Sequence, residues 1–389
     1  MKSYYLLSHL AKTHNVHLVT FHHGGPPTQE QRDAIARIGV HLTAIPLHPI
    51  TAGAACVRSA VTDLPLEIAF YTRPDFQAAV DRILAEHTVD LAISFFMRTA
   101  EYVRAKPGLR RILIAEDCRL EYQTRSVASS TSALQRLVRK WEVAKLSRYE
   151  PAVMSDFDCT TFVSQQDIDA MRRQRDDLPY ALVTNGVRTD EFQYVDQQEQ
   201  RSGILFAGKL DVLANILAAR WIVDDILPMV RATVPEAFLS IVGAHPTHEV
   251  QRMAASAADQ KVRLEANVPN MVPYLHGHAV FLHPHRGGSG IQNKVLEAMS
   301  AGCVVVTTPS GIQGIDAVHG EHCLIGTTSE ELARHVTWLL QHPQERSAMG
   351  QAARQLMEET HTWQHVYDQI DHVIDRVLAP GEHHGQLRV

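Results

Sequence analysis

Positions 287–314 read GGSGIQNKVLEAMSAGCVVVTTPSGIQG. The pattern predicts a glycine-rich turn, a helix over 291–301 stopped by Gly302, an apolar strand over 303–308 and a second Gly/Pro turn. Gly288, Ser289 and Gly290 allow a tight turn with close backbone approach. The amides of Gly290, Ile291 and Gln292 then open the helix, where unpaired N–H groups and the helix dipole favour an anion. Lys294 adds a positive charge on the first turn. Glu297 follows about two turns after the glycines. That is a ribose's distance from a phosphate held at the turn, and its carboxylate can accept from both ribose hydroxyls. An anion cradle with a carboxylate at that spacing suits a nucleoside diphosphate.

A second group lies upstream. The strand ILFAG ends in Gly208-Lys209-Leu210-Asp211, with Asn215 at the start of the next helix. The strand HAVFLHP delivers His283, His285 and Arg286 just before the glycine turn, as further candidates for a leaving phosphate. Glu116 and Asp117 close the strand RILIAE. A carboxylate there can orient or deprotonate a hydroxyl; Asp117 equally fits a loop-ordering or capping role. The D-x-D strings Asp156-Phe157-Asp158 and Asp167-Ile168-Asp169 look like metal motifs. The first precedes a strand and the second opens a helix where aspartate favours the dipole, so no metal is expected. The pairs His22-His23 and His383-His384 sit in polar segments and read as solvated.

Composition narrows the class. The chain has 389 residues, enough for two to three domains with their own cores. Its 37 basic and 43 acidic residues give a net charge of −6, which argues against a nucleic-acid partner. No apolar run reaches the length of a membrane span, and no signal peptide is evident. Five scattered cysteines without a CxxC pair suit reduced thiols in a cytoplasm.

Short apolar runs alternate with helical patterns throughout, which predicts α/β architecture with parallel sheets. Strands are expected at 16–21, 41–47, 90–96, 111–116, 158–164 and 180–185, then at 203–208, 238–243, 261–266, 278–284, 303–308 and 322–326. Helices are expected near 3–13, 28–38, 75–87, 133–154, 213–232, 247–257, 291–301, 328–341, 343–359 and 362–378. The polar stretch 187–202 is the candidate linker. Helix 133–154 carries Leu134, Leu137, Val138 and Trp141 on one face and Arg136, Arg139, Lys140, Lys145 and Arg148 besides. It reads either as a core-packed helix with a solvated basic side or as a peripheral contact with an anionic membrane.

KVLEAMSAG followed by CVVVTTP resembles the K-x-x-E-A-M-A-x-G-x-P-V-V donor segment of GT-B glycosyltransferases of family 4 (group 1). Gly208-Lys209-Leu210 resembles that family's G-[KR]-L element, Val242-Gly243 its I-V-G element, and Asn267-Val268 before Pro273-Tyr274-Leu275 its base-side loop. Thr161-Phe162-Val163-Ser164 and Asn185-Gly186-Val187 resemble its V-S and N-G-V landmarks, and Asn185-Gly186 reads as a turn. GIQNKVLEAM and the following SGIQGI are similar to sugar transferases associated with exopolysaccharide and exosortase gene clusters. The resemblance runs from about Lys2 to Ile374 and is most specific over 203–316.

The resemblance implies two Rossmann-like doubly wound domains facing across a cleft. An acceptor-side domain is expected over 1–190 and a nucleotide-sugar domain over 200–360. A helix over 361–380 is expected to pack back on the first domain, followed by a flexible tail over 381–389. It further implies a retaining hexosyltransferase that needs no metal or cofactor. The hexosyl unit would pass from a UDP- or GDP-sugar to a glycan or lipid-linked acceptor in polysaccharide biosynthesis. The enzyme would be cytoplasmic, or peripheral at the inner face of the membrane through helix 133–154. Gly208, Lys209, Gly290, Ile291, Gln292, Lys294 and Glu297 would bind the donor; Asp117, Lys209 and Lys294 would be catalytic; Ser289, His283, His285, Arg286 and Glu116 are further candidates. Three departures stand out. Ser289 replaces a second glutamate found in many members. Ala214 and Asn215 occupy the place of a further basic residue. Family members also carry a strand and a Gly-rich loop ahead of the helix at 3–13, so the resemblance implies that the first strand of the N-terminal domain is missing here, either because the start codon is misassigned or because the gene is truncated. Two other readings share the architecture: a nucleotide-sugar epimerase and a non-catalytic partner of an active transferase.

Overall fold

The computed structural model describes residues 2–379 apart from 60–61, 129–131, 197 and 288–289. The described chain divides into two units, residues 2–183 with 367–379, and residues 184–366. The division therefore falls at Val183–Thr184 instead of within 187–202. That polar stretch belongs to the second unit, where it is tied down by Arg354, which donates to the carbonyls of Thr189 and Phe192. The proposed tail over 381–389 lies outside the described residues.

In the first unit, β1 (Val16–His22) pairs in parallel with β2 (Val40–Pro46). A separate parallel sheet runs in the order β3 (Leu91–Phe95), β4 (Arg110–Glu116), β5 (Cys159–Phe162) and β6 (Tyr180–Leu182). Among the described residues no strand is hydrogen-bonded between β1 and β3. β1 is half-buried along its whole length, whereas β5 is fully buried. Helices the sequence patterns did not flag cover Pro49–Ser59, Leu66–Tyr71 and Arg119–Ala128, while the helix expected at Asp167 is found at Gln165–Arg172.

The second unit holds β7 (Ile204–Ala207), β8 (Leu239–Gly243), β9 (Val262–Ala266), β10 (Val280–His283), β11 (Val304–Thr307) and β12 (Cys323–Ile325). All run parallel in the order β12-β11-β10-β7-β8-β9. This is a doubly wound sheet, and the order reverses between β7 and β10. Ligands of such sheets bind at the carboxyl ends of the strands beside that switch point. β7, β10 and β11 are buried at every position, which is why their apolar runs read as unbroken strands. The helix expected over 213–232 is interrupted: Leu213–Trp221 passes through a π turn at Ile222–Ile226 into Leu227–Thr233, with Pro228 at the restart.

One close approach fixes the carboxyl edge of β7 against β8. A side-chain carbon on Gly243 would lie 1.8 Å from the carbonyl oxygen of Gly208. Only hydrogen fits there, and Gly208 N donates to Val242 O at 3.1 Å beside it. Gly277, by contrast, has nothing within 4 Å of such a carbon. Gly243→Ala should therefore cost roughly 2–3 kcal/mol in chemical denaturation, and Gly277→Ala should leave stability unchanged or slightly raised.

Candidate functional site

The site grows from the two loops that flank the switch point. After β7 the chain turns at Gly208. A side-chain carbon on Gly208 would meet Asn215 Nδ2 at 2.8 Å and Lys294 Nζ at 3.0 Å. The missing side chain thus makes room for a lysine from the other loop. Asn215 is buried and works at both ends: its Nδ2 donates to the Lys209 carbonyl at 2.8 Å, and its Oδ1 accepts from Lys294 Nζ at 2.8 Å. Lys209 itself is exposed, while the neighbouring Leu210 is fully buried and anchors the turn.

After β10 the loop comes back through Gly290, whose φ of 71° is left-handed. The helix starts later than its sequence suggested. It spans Asn293–Ser300, with Gln292 as its N-cap. The amides that open it are those of Asn293 and Lys294, not those of Gly290, Ile291 and Gln292, because the left-handed residue at 290 delays helical geometry. The N-cap makes no side-chain hydrogen bond, and no acidic residue lies in the first turn. Such an end is receptive to an outside anion. Asn185 holds its position by donating to Asn293 Oδ1 at 2.9 Å, and His361 packs against the Asn185 carbonyl with Nδ1 at 3.0 Å. Asn185-Gly186, read as a turn in the sequence, is irregular extended chain here, and Asn185 serves to tie the start of the helix. Gly288 and Ser289 lie outside the described residues.

Two half-buried charges share this helix. Burial pushes the Lys294 ammonium down to about 8, and Glu297 pulls partly the other way. Burial, reinforced by Glu191, pushes the Glu297 carboxyl up to about 7, and Lys294 partly offsets it. Each is short of the water it would have on a surface, so each gains from a ligand that supplies its counter-charge or hydrogen-bond partners.

His283 and His285 bring a second feature. Both are buried, and their rings stack at 5.2 Å. Burial, with Lys294 adding to it, holds His283 well below the usual imidazole range and His285 at about 4. The segment is pinned through its backbone. Thr307 Oγ1 donates to the His283 carbonyl at 2.7 Å, and Thr308 and Ser310 both donate to the His285 carbonyl. Arg286 goes elsewhere: its guanidinium stacks on Trp221 at 3.3 Å from the ring centroid.

Glu116 and Asp117 belong to the first unit. Glu116 is held at φ 72° and forms an ion pair with buried Lys2 at 2.8 Å. Asp117 lies 3.9 Å from Arg119, which also pairs with Glu67 at 2.7 Å. Sequence reasoning missed Glu150, which is fully buried and accepts from the amides of Arg119 and Leu120 at 2.8 and 2.9 Å. It caps the helix Arg119–Ala128 from a distant helix, and burial pushes it up to about 7. The D-x-D aspartates are engaged otherwise. Asp156 pairs with Arg104 at 2.7 Å, Asp158 accepts from Arg110 and from the Arg111 amide, and Asp167 accepts from the Cys118 amide. Among the described residues no group of three or more His, Cys, Asp or Glu side chains is placed to hold a metal ion.

The buried imidazoles make a measurable prediction. An unfolded histidine takes a proton near pH 6.5, whereas His285 in the fold resists it down to about 4. Above pH 6.5 the two states bind the same number of protons at this site. As pH falls from 6.5 to 4, only the unfolded state gains one, so the fold loses stability. His285→Asn should remove that dependence. The stability difference between parent and variant should shift by up to about 3 kcal/mol across this window, read by urea denaturation at stepped pH.

Comparison with known proteins fits this geometry. Residues 201–342 match the model of the family described as glycosyl transferases group 1. An uncharacterized 44.6 kDa protein in the cps region of Klebsiella pneumoniae is 23% identical over 210 residues, which is 53% of each chain. The chain thus spans about half the length of that curated relative. Sucrose-phosphate synthase from Thermosynechococcus elongatus superposes with a TM-score of 0.68 at 15% identity, over 94% of this chain and all of that one. Anabaena HepE, solved with UDP and glucose, superposes with a TM-score of 0.65 at 13% identity, over 96% and 95% of the two chains. The chain therefore has the GT-B fold, and the unit that carries the Lys294 site is the part that matches the glycosyl transferases group 1.

Proposed function

We propose that this protein is a glycosyltransferase whose second unit holds a nucleotide-sugar donor, UDP- or GDP-linked, and transfers its hexosyl unit with retention. The observation that carries this reading is the join of Lys294 to Asn215 and Gly208 at an uncapped helix end beside the switch point of the sheet. In this reading the diphosphate lies on the amides of Asn293 and Lys294, with Lys294 and exposed Lys209 neutralising it. Glu297 receives the ribose hydroxyls. HepE, of the same fold, is solved with UDP and glucose, which supports the donor class.

Retention at the anomeric carbon is what the resemblance to family 4 implies. The bond between the anomeric carbon and the diphosphate oxygen breaks, and its electron pair stays on that oxygen. The acceptor oxygen bonds to the anomeric carbon on the same face, and its proton passes to the departing diphosphate. The protein's part is to position both substrates and stabilise the charge that grows on the leaving group, which is work for amides and lysines. The histidines, buried and held neutral, add no charge beside the diphosphate. Asp117 is the candidate for orienting the acceptor, a glycan or a lipid-linked sugar. The relative from a cps region suits an acceptor in extracellular polysaccharide synthesis.

Calorimetric titration of UDP and of GDP into the purified chain tests this reading. One nucleotide should bind in the micromolar range. Glu297→Ala should weaken it by about 10- to 100-fold, as expected for loss of hydrogen bonds to a charged group. Failure of a folded chain to bind either nucleotide would favour a non-catalytic role. Glu297→Gln should act in opposite directions on binding and stability. It removes a carboxylate that burial has raised to about 7. Unliganded protein at neutral pH should then gain on the order of 1–2 kcal/mol, allowing for partial exposure, while nucleotide affinity falls.

A further inference from the structure

The long helix Ala133–Met154 is two different surfaces in succession. Its second half is a core element, with Glu142, Lys145, Leu146, Tyr149, Glu150, Val153 and Met154 buried. Lys145 donates to the carbonyls of Ser59 and Leu64 and stacks over Trp141. The core-packed reading of the sequence holds there and fails for the first two turns. Leu134 is 72% exposed, Leu137 65% and Val138 42%. These three, at i, i+3 and i+4, form one stripe on the helix, and the half-buried Trp141 continues it one turn on.

The charged residues around that stripe all carry one sign. From Ala133 to Trp141 the sequence is ALQRLVRKW, with Arg136, Arg139 and Lys140 and no acidic residue. Arg139 leans back to donate to the Ser126 carbonyl, while Arg136 and Lys140 are exposed. An exposed leucine stripe beside unopposed cations is complementary to a surface that is apolar below and anionic above. A protein partner would need its own acidic rim around an apolar groove; a bilayer with anionic headgroups presents both along any direction. Among the described residues no helix is long and apolar enough to cross a membrane, so the contact would be a helix lying in the interface.

We propose that the first two turns of this helix, through Leu134, Leu137 and Val138 with Arg136 and Lys140, dock the protein on an anionic lipid surface. The proposal is independent of the nucleotide site, which lies in the other unit.

Co-sedimentation of the full chain with phosphatidylcholine vesicles, with and without phosphatidylglycerol, tests it. The chain should partition onto the phosphatidylglycerol vesicles and stay in solution with the neutral ones. Arg136→Ser with Lys140→Ser should lower the partition coefficient by roughly 10- to 30-fold, in line with the contribution of two surface cations. Leu134→Ser with Leu137→Ser should abolish binding. All four side chains are exposed, so unchanged thermal melts are expected to accompany these losses. Equal binding to both vesicle types, no binding to either, or retention of binding in the leucine variant would overturn the proposal. So would a parent chain that ignores vesicles but is dimeric by light scattering and becomes monomeric with Leu134→Ser and Leu137→Ser, since the stripe would then be a contact between copies.

Discussion

Lys294 is an ammonium in a place with too little water for it. Everything around it in the second unit follows from that placement. The side chain can reach the β7 loop only because Gly208 lacks a side-chain carbon, and its one polar partner in that loop is the Asn215 amide. An amide oxygen accepts a hydrogen bond but does not neutralise charge. The desolvation cost of Lys294 is therefore left partly open, and burial pushes its ammonium down to about 8. Glu297, one turn on, carries the complementary debt as a carboxyl raised to about 7. On the proposed reading, a ligand that is anionic at one end and hydroxyl-bearing at the other would relieve both.

The scaffold supports this arrangement with backbone and not with side-chain charge. The contact between Gly243 and the Gly208 carbonyl fixes the carboxyl end of β8 against the loop after β7, on the side away from β10. Thr307, Thr308 and Ser310 tie the carbonyls of the His283–His285 segment from the neighbouring strand end. Asn185 fixes where the Asn293–Ser300 helix begins. These are short neutral hydrogen bonds that survive a change of charge state. The histidines they hold stay neutral because burial and Lys294 both oppose a second cation.

Much of this was legible in the sequence, for physical reasons. The strands of the second unit are buried on both faces, so they appear as unbroken apolar runs such as ILFA and VVVT. Gly290 and the helix behind it announce themselves by local chemistry. What stayed hidden depends on residues far apart in the chain. Asn215 looked like the loss of a basic residue; the fold shows it holding Lys294, 79 positions away. The helix Arg119–Ala128 has the amides of Arg119 and Leu120 capped by Glu150, 31 and 30 positions downstream, a partner that local sequence could not reveal. The helix Pro49–Ser59 contains a glycine, begins on proline and has no clear apolar stripe, so sequence pattern gave no sign of it. The start of the donor-side helix moved by two residues because a left-handed glycine takes up chain before helical geometry can begin.

The central claim is that Lys294 is held short of a counter-charge that a diphosphate supplies. Proton exchange on binding measures this most directly. With its ammonium near 8, Lys294 is about half protonated at pH 8 in the empty site. A bound diphosphate would restore full protonation, while Glu297 is already ionised and has little to release. Titrating the nucleotide that binds at pH 8 in buffers of differing ionisation enthalpy should show uptake of up to about half a proton per site, lost in Lys294→Met. Binding with no proton uptake, or uptake that persists in that variant, would contradict the account.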